Sequence, residues 1–206
     1  MHTYDVNCHY SQNRIRKAAA LIQKNFGRDD ILREVEQSGE LPAGIYYHPR
    51  YDLTEKTPHG VFDLCCSKFV LEHVSPDVLR RIHEVSDGWM AELGLWVHWV
   101  SPSDHRSYDD SRIHQVEFLE MSEDDWVGRY GNRFAYHNRL RRPQYIDIFR
   151  ESNFDILVDD CSVPSDALEQ VRSLEVHQDF SKFTAEELMA ANCWFVLRRR
   201  SRHAVR

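Results

Sequence analysis

FDLCCSKFVLEHVSPDVLRRIHEV, residues 62 to 85, decides how this chain folds. Together with Val61, its opening Phe62-Asp63-Leu64-Cys65-Cys66 is a nearly continuous apolar run, as expected of a parallel strand covered on both faces. A polar turn follows at Ser67. Ser75-Pro76-Asp77 then supplies an N-cap, a first-turn proline and an acid favoured by the helix dipole. Val78, Leu79, Ile82, Val85, Trp89 and Leu93 continue as an apolar stripe of helical period, which Gly94 is expected to close. Leu95 to Val100 reads as the next strand, ending at Ser101-Pro102-Ser103-Asp104-His105.

The same alternation extends in both directions. Upstream, Thr3 to Val6 reads as a short strand. Ile15, Ala18, Ala19, Ile22 and Phe26 form a helical stripe behind Ser11 or Asn13 as cap, with Gly27 as its stop. Arg28 to Pro42 reads as a polar connection leading to Gly44-Ile45-Tyr46-Tyr47 and Tyr51-Asp52-Leu53, where a second strand should end in a loop. Downstream, residues 105–142 are aromatic and charged without strand signal, and are expected to be an insertion over the sheet edge. Pro143 opens a short helix through Ile146 and Phe149. Phe154 to Val158 and Cys193 to Leu197 are the last strands, and the capping box Thr184-Ala185-Glu186-Glu187 starts a helix between them. Apolar β segments alternating with helices predict an α/β fold, a mostly parallel sheet with helices on both faces. No repeat or linker is visible, so residues 1–206 are expected to form one domain.

Composition removes several classes of function. The 206 residues carry a formal net charge of -7, which disfavours nonspecific binding to nucleic-acid phosphates. No apolar stretch has the length of a membrane span and no signal peptide opens the chain, so a cytoplasmic protein is expected. The basic end, residues 198–206, reads as a solvated tail. Five cysteines (Cys8, Cys65, Cys66, Cys161, Cys193) without a CxxC argue for reduced thiols rather than disulfides or structural zinc. Of the twelve histidines none stands in HxH or HxxxH spacing, so no metal site is expected. No G-x-S-x-G elbow supports a serine hydrolase.

Residues 62–85 resemble the fourth strand and following helix of class I S-adenosylmethionine-dependent methyltransferases, where an FDLV-type strand runs into S-x-x-V-L-E-H-V. YDLTEKTPHGVFDL (51–64) is similar to that family's approach from the third strand, and HTYDVN (2–7) to its second. FSKFTAEELMAANCWFVLRR (180–199) resembles the closing helix and last strand, which in this family enters the sheet antiparallel. His98-Trp99-Val100-Ser101-Pro102-Ser103-Asp104-His105 and Asn138-Arg139-Leu140-Arg141 are similar to stretches of bacterial members acting on small molecules or glycans. The resemblance implies a Rossmann-like doubly wound sheet, with the last strand antiparallel. It also departs from the family: no GxG occurs anywhere, and only four residues precede Asp5. The first strand and its glycine-rich turn, roughly 50 to 80 residues by βαβ sizes, are expected to be missing, as in a truncated domain.

The resemblance further implies S-adenosylmethionine as cofactor, with Asp5 receiving the ribose hydroxyls, Asp52 the adenine amino group and Ser67 a place beside them. A carboxylate at a strand's carboxyl end suits two adjacent hydroxyl donors; a helix cap or a turn aspartate is the competing account. In-line methyl transfer asks for positioning and, for oxygen acceptors, a base. The candidates are His105 and His73, each following a strand, and His98, which alternates with Trp99 inside one. Tyr108, Tyr136, Arg139 and Arg141 could face a small-molecule or glycan acceptor. The competing account makes the region's aromatics, Phe134 among them, a helical core. The alternative function is a non-catalytic methyltransferase-like remnant, self-associating or covered by a partner where the first strand would pair.

Overall fold

The computed structural model describes residues 1–5, 11–131 and 136–201, so Val6, Cys8, Phe134 and the tail from Arg202 lie outside the described residues. The chain divides into two compact units, Met1–Thr57 and Pro58–Arg206. No change of composition marks that boundary in the sequence.

In the first unit, β1 (His2–Asp5) and β2 (Tyr46–Pro49) pair in parallel, with Asp5 opposite Pro49. Between them lie α1 (Gln12–Phe26) and α2 (Asp29–Ser38). Helix α1 begins and ends as the caps dictate: the Ser11 side chain accepts from the Arg14 amide, and Gly27 closes the helix at φ 67°. Helix α2 falls inside the stretch expected to be a polar connection. Its apolar positions Ile31, Leu32 and Val35 make one narrow stripe among charges, and Val35 is fully buried.

The second unit holds a four-stranded sheet in the order β3-β4-β6-β5. Strands β3 (Phe62–Lys68) and β4 (Met90–Val100) are parallel, whereas β6 (Ala191–Arg199) runs antiparallel to both β4 and β5 (Phe154–Ser162). The fold is thus α/β with a mixed sheet, three strands one way and the last against them. Helix α3 (Pro76–Ser86) connects β3 to β4, and α5 (Arg142–Glu151) leads into β5. One sheet face packs on these helices: Trp96 and His98 of β4 and Phe195 of β6 meet His83 of α3 or Phe149 of α5. On the other face Trp99 stacks on Trp194, which is partly exposed.

The helix expected to run from Ser75 to Gly94 stops at Ser86, and Met90–Leu93 belong to β4. Apolar residues at 89, 90 and 93 suit either period; pairing with β3 settles the choice. The strand carries an irregularity there, with Leu93 at φ 62° and the register shifting between Phe62 and Leu64. Gly94 serves this close approach instead of ending a helix, because a Cβ would stand 2.9 Å from the Ala91 carbonyl oxygen and 3.1 Å from that of Phe62.

The expected insertion contains 3-10 turns at His105–Tyr108 and Glu117–Glu120 and helix α4 (Glu123–Tyr130), with no strand among the described residues. Phe118, Leu119 and Trp126 make its core with Phe180, Leu188 and Met189, the last two from α7 (Ala185–Met189). Helix α6 (Ala167–Arg172) packs against α7, whose capping box forms as read from Thr184 and Glu187. No described helix is long and apolar enough to cross a membrane.

Candidate functional site

Because β3 and β4 run parallel, their carboxyl ends open on the same side of the sheet, where α/β proteins bind ligands. The turn Leu71–His73 follows β3, and the turn His105–Tyr108 follows β4. Ligand atoms of Glu72, His73 and His105 lie within 4.8 Å of one another. The ring of His137, arriving ahead of α5, stands 4.4 Å from His105 and 5.5 Å from His73 between centroids.

Main-chain contacts hold this arrangement. The Ser101 amide donates to Glu72 Oε1 at 3.2 Å, fixing the first turn to the end of β4. The Asn138 amide donates to the Glu72 carbonyl, and its side chain donates to the carbonyls of Leu71 and Val74, both at 2.7 Å. The opposite end of that side chain accepts from the Tyr145 hydroxyl. Asp104, buried and bound by the Arg106 guanidinium, accepts the Arg106 and Phe118 amides and so sets the turn that starts at His105.

Several polar atoms of the cluster have no partner among the described residues: Glu72 Oε2, His105 Nε2 and both ring nitrogens of His137. Glu72 is 0% exposed and His137 7%. Burial pushes the Glu72 carboxyl up. Burial, then the neighbouring His73, holds His105 below the ordinary imidazole value, and burial with His105, His73 and Arg141 takes His137 down to about 2. His73, at the exposed end, spends Nδ1 on the Tyr136 carbonyl at 3.0 Å; that oxygen only accepts, so Nδ1 carries the proton and Nε2 keeps its lone pair. Beside the cluster, Tyr136, Asn138, Arg139 and Glu123 line a cavity of about 250 Å³.

His98 lies elsewhere, on the covered face of the sheet. Its neighbours form a chain with one consistent direction. His83 Nδ1 donates to the Leu79 carbonyl at 2.7 Å, so His83 Nε2 accepts from His98 Nε2 at 3.1 Å, and His98 Nδ1 accepts from the Ser67 hydroxyl at 2.8 Å. Burial holds His83 down at about 4 and His98 well below the ordinary value, so both rings are neutral. His98 and Ser67, expected as base and cofactor contact, are here partners of each other.

Asp5 stands at the carboxyl end of β1 and accepts the Tyr47 hydroxyl at 2.9 Å. Asp52 forms a turn in which Oδ1 accepts the Thr54 amide and hydroxyl, and these bonds hold its carboxyl below the usual value. Of the expected acceptor contacts, the Tyr108 hydroxyl bonds Ser101 and Ser103 although the residue is 64% exposed, and Tyr136 lines the cavity. Arg139 and Arg141 do not face an open acceptor site. Arg139 donates to the Phe118 carbonyl and Glu123, and Arg141 to the carbonyls of Arg139 and Leu188; both are buried. Glu72 and His83 were not singled out as site residues by the sequence, and His137 only as one of the aromatic and basic residues of 105–142 that could lie over an acceptor. The one signal for Glu72 is an acid adjacent to a histidine at a strand-end turn.

No protein-family model matches this chain, and no curated protein matches it. Solved structures resemble it. A SAM-dependent methyltransferase from Methanosarcina mazei is 10% identical over 97% of this chain and 92% of its own, with a TM-score of 0.47. PKMT2 from Rickettsia typhi, solved in complex with AdoHcy, is 12% identical over 97% of this chain and 44% of its own, at 0.47. The N-methyltransferase NodS from Bradyrhizobium japonicum is 13% identical over 97% and 86%, at 0.42. At such identities and TM-scores below one half, none of the three transfers a function to this chain.

Proposed function

We propose that the chain is an S-adenosylmethionine-dependent methyltransferase acting on a small-molecule or glycan-type acceptor. The observation that carries this reading is the placement of two acids after two adjacent parallel strands: Asp5 ends β1, and Asp52 follows β2 by three residues. Carboxylates at the carboxyl ends of parallel strands suit the hydroxyl and amino donors of a nucleoside. Tyr47 orients Asp5, and the Thr54 turn keeps Asp52 ionised. When bound, the cofactor would supply an electrophilic methyl group on a sulfonium. The rest is asked of the chain. In the first unit Asp5 and Asp52 orient the nucleoside; what the second unit offers by itself is the cavity at Tyr136 for an acceptor and His105 Nε2 as a proton acceptor.

Titration calorimetry with S-adenosylhomocysteine tests the reading. Saturable binding is expected, weakened about tenfold or more in Asp5→Asn, as loss of hydrogen bonds to a charged group requires. Absence of heat at millimolar ligand overturns it.

A second reading, a methyltransferase-like interaction protein, is favoured by one observation. The edge strand β3 and its flanks expose Val61 at 68% and Leu64 at 59%, an apolar edge of the kind that recruits another chain. A protein that stays monomeric at high concentration by light scattering removes it.

A further inference from the structure

We propose that Glu72, His73 and His105 form a binding site for a divalent transition cation of the zinc type. Two imidazoles and one carboxylate are the donor set of such ions, whereas magnesium and calcium prefer oxygen alone. The three donors come from two turns at the carboxyl ends of β3 and β4, and their ligand atoms already lie within 4.8 Å of one another. Bonds of about 2.0–2.2 Å place ligand atoms about 3–3.5 Å apart, so small side-chain rotations complete the site.

Three further observations point at a ligand. Glu72 is fully buried yet leaves Oε2 without a partner, and His105 leaves Nε2 without one. The hydrogen bond of His73 Nδ1 to the Tyr136 carbonyl fixes the tautomer whose Nε2 can bind a metal, which is the outer support metal-ligating histidines ordinarily have. His137, buried against both imidazoles with neither ring nitrogen paired among the described residues, stands where it can bond a water or oxygen in the cation's open position. Histidine spacing in the sequence misses the site because its donors are adjacent at 72 and 73 and then 32 residues away from His73. The exposed side of His73 leaves an entry path.

The site itself does not depend on methyl transfer. Its use does: under the reading above, the bound cation would acidify an acceptor hydroxyl, a role otherwise left to His105.

The test is zinc uptake by the full chain after equilibrium dialysis, with cobalt(II) absorption as a second probe. One zinc per chain is expected, with a cobalt d–d spectrum and a raised unfolding temperature. Glu72→Gln and His105→Ala should each lower affinity at least tenfold. His48→Ala removes a histidine paired with His2 on the first unit and should change nothing. Wild-type protein that takes up neither ion overturns the proposal, as does uptake lost in His48→Ala but kept in Glu72→Gln. Zinc uptake without binding of S-adenosylhomocysteine upholds the site and removes the methyltransferase reading; the converse removes the site alone.

Discussion

The second unit contains two histidine clusters, and they differ in what they leave undone. In the chain from Ser67 through His98 and His83 to the Leu79 carbonyl, each ring nitrogen has a partner and each proton a fixed place. In the cluster of Glu72, His73, His105 and His137, four buried acceptors or donors have no partner among the described residues. The first sits on the sheet face under α3 and α5. The second sits at the strand ends, reaching from a buried carboxyl to an exposed imidazole. Buried polar groups in folded proteins are ordinarily paired. A closed network therefore reads as structure, whereas the open one is the observation on which the proposed cation site rests, even though both are built from the same residue types.

The largest effect should come from breaking the closed chain. His83→Ala removes a fully packed ring between Trp96, Phe149 and Phe154 and strands the Nε2 proton of His98. It should lower unfolding stability by about 4 kcal/mol in denaturant titration, the sum of a cavity and an unpaired buried group. Should the loss stay under about 1 kcal/mol, the network is not the structural element described.

Acidification should come next. Burial holds His83 at about 4 against an ordinary 6.5, so between these values the unfolded chain binds the proton that the folded one refuses. Stability due to this group is full above about pH 6.5 and falls as the pH drops toward 4. The slope approaches 1.4 kcal/mol per pH unit, about 3 kcal/mol in all. Stability measured by equilibrium unfolding across that range should fall at least this steeply, since His98 and His137 are held down as well, and His83→Gln should remove about one proton's share of the slope.

The smallest effect is expected at the open cluster. His137→Phe replaces an unpaired buried imidazole with a ring of similar shape and should move stability by less than about 1 kcal/mol in either direction. A loss as large as that of the same substitution at His98 would erase the distinction between the clusters.

Much of the architecture was legible because its signals are local. Ser11 and Gly27 bracket α1, Pro76 opens α3 and Thr184 with Glu187 starts α7, since caps and first-turn residues act within a few positions. The strands at Phe62, Leu95, Phe154 and Cys193 also appeared in place, from continuous apolar runs. Helix α2 did not, its three apolar residues being too few among charges to declare a period. The boundary between α3 and β4 did not either, because Trp89, Met90 and Leu93 satisfy both periods and only pairing with β3 decides.

The site divides the same way. The sequence by itself determined an α/β chain with acids at the ends of its first two strands and histidines after its later ones, because strand, turn and cap chemistry are short-range. Only the tertiary structure decided which histidines meet. Parallel pairing of β3 with β4 brings the turn at 72–73 to the turn at 105 and sends His98 into the sheet's covered face. It also turned Arg139 and Arg141 inward onto carbonyls. Alternation along a strand says that neighbours point to opposite faces, and the packing of helices says which face is covered.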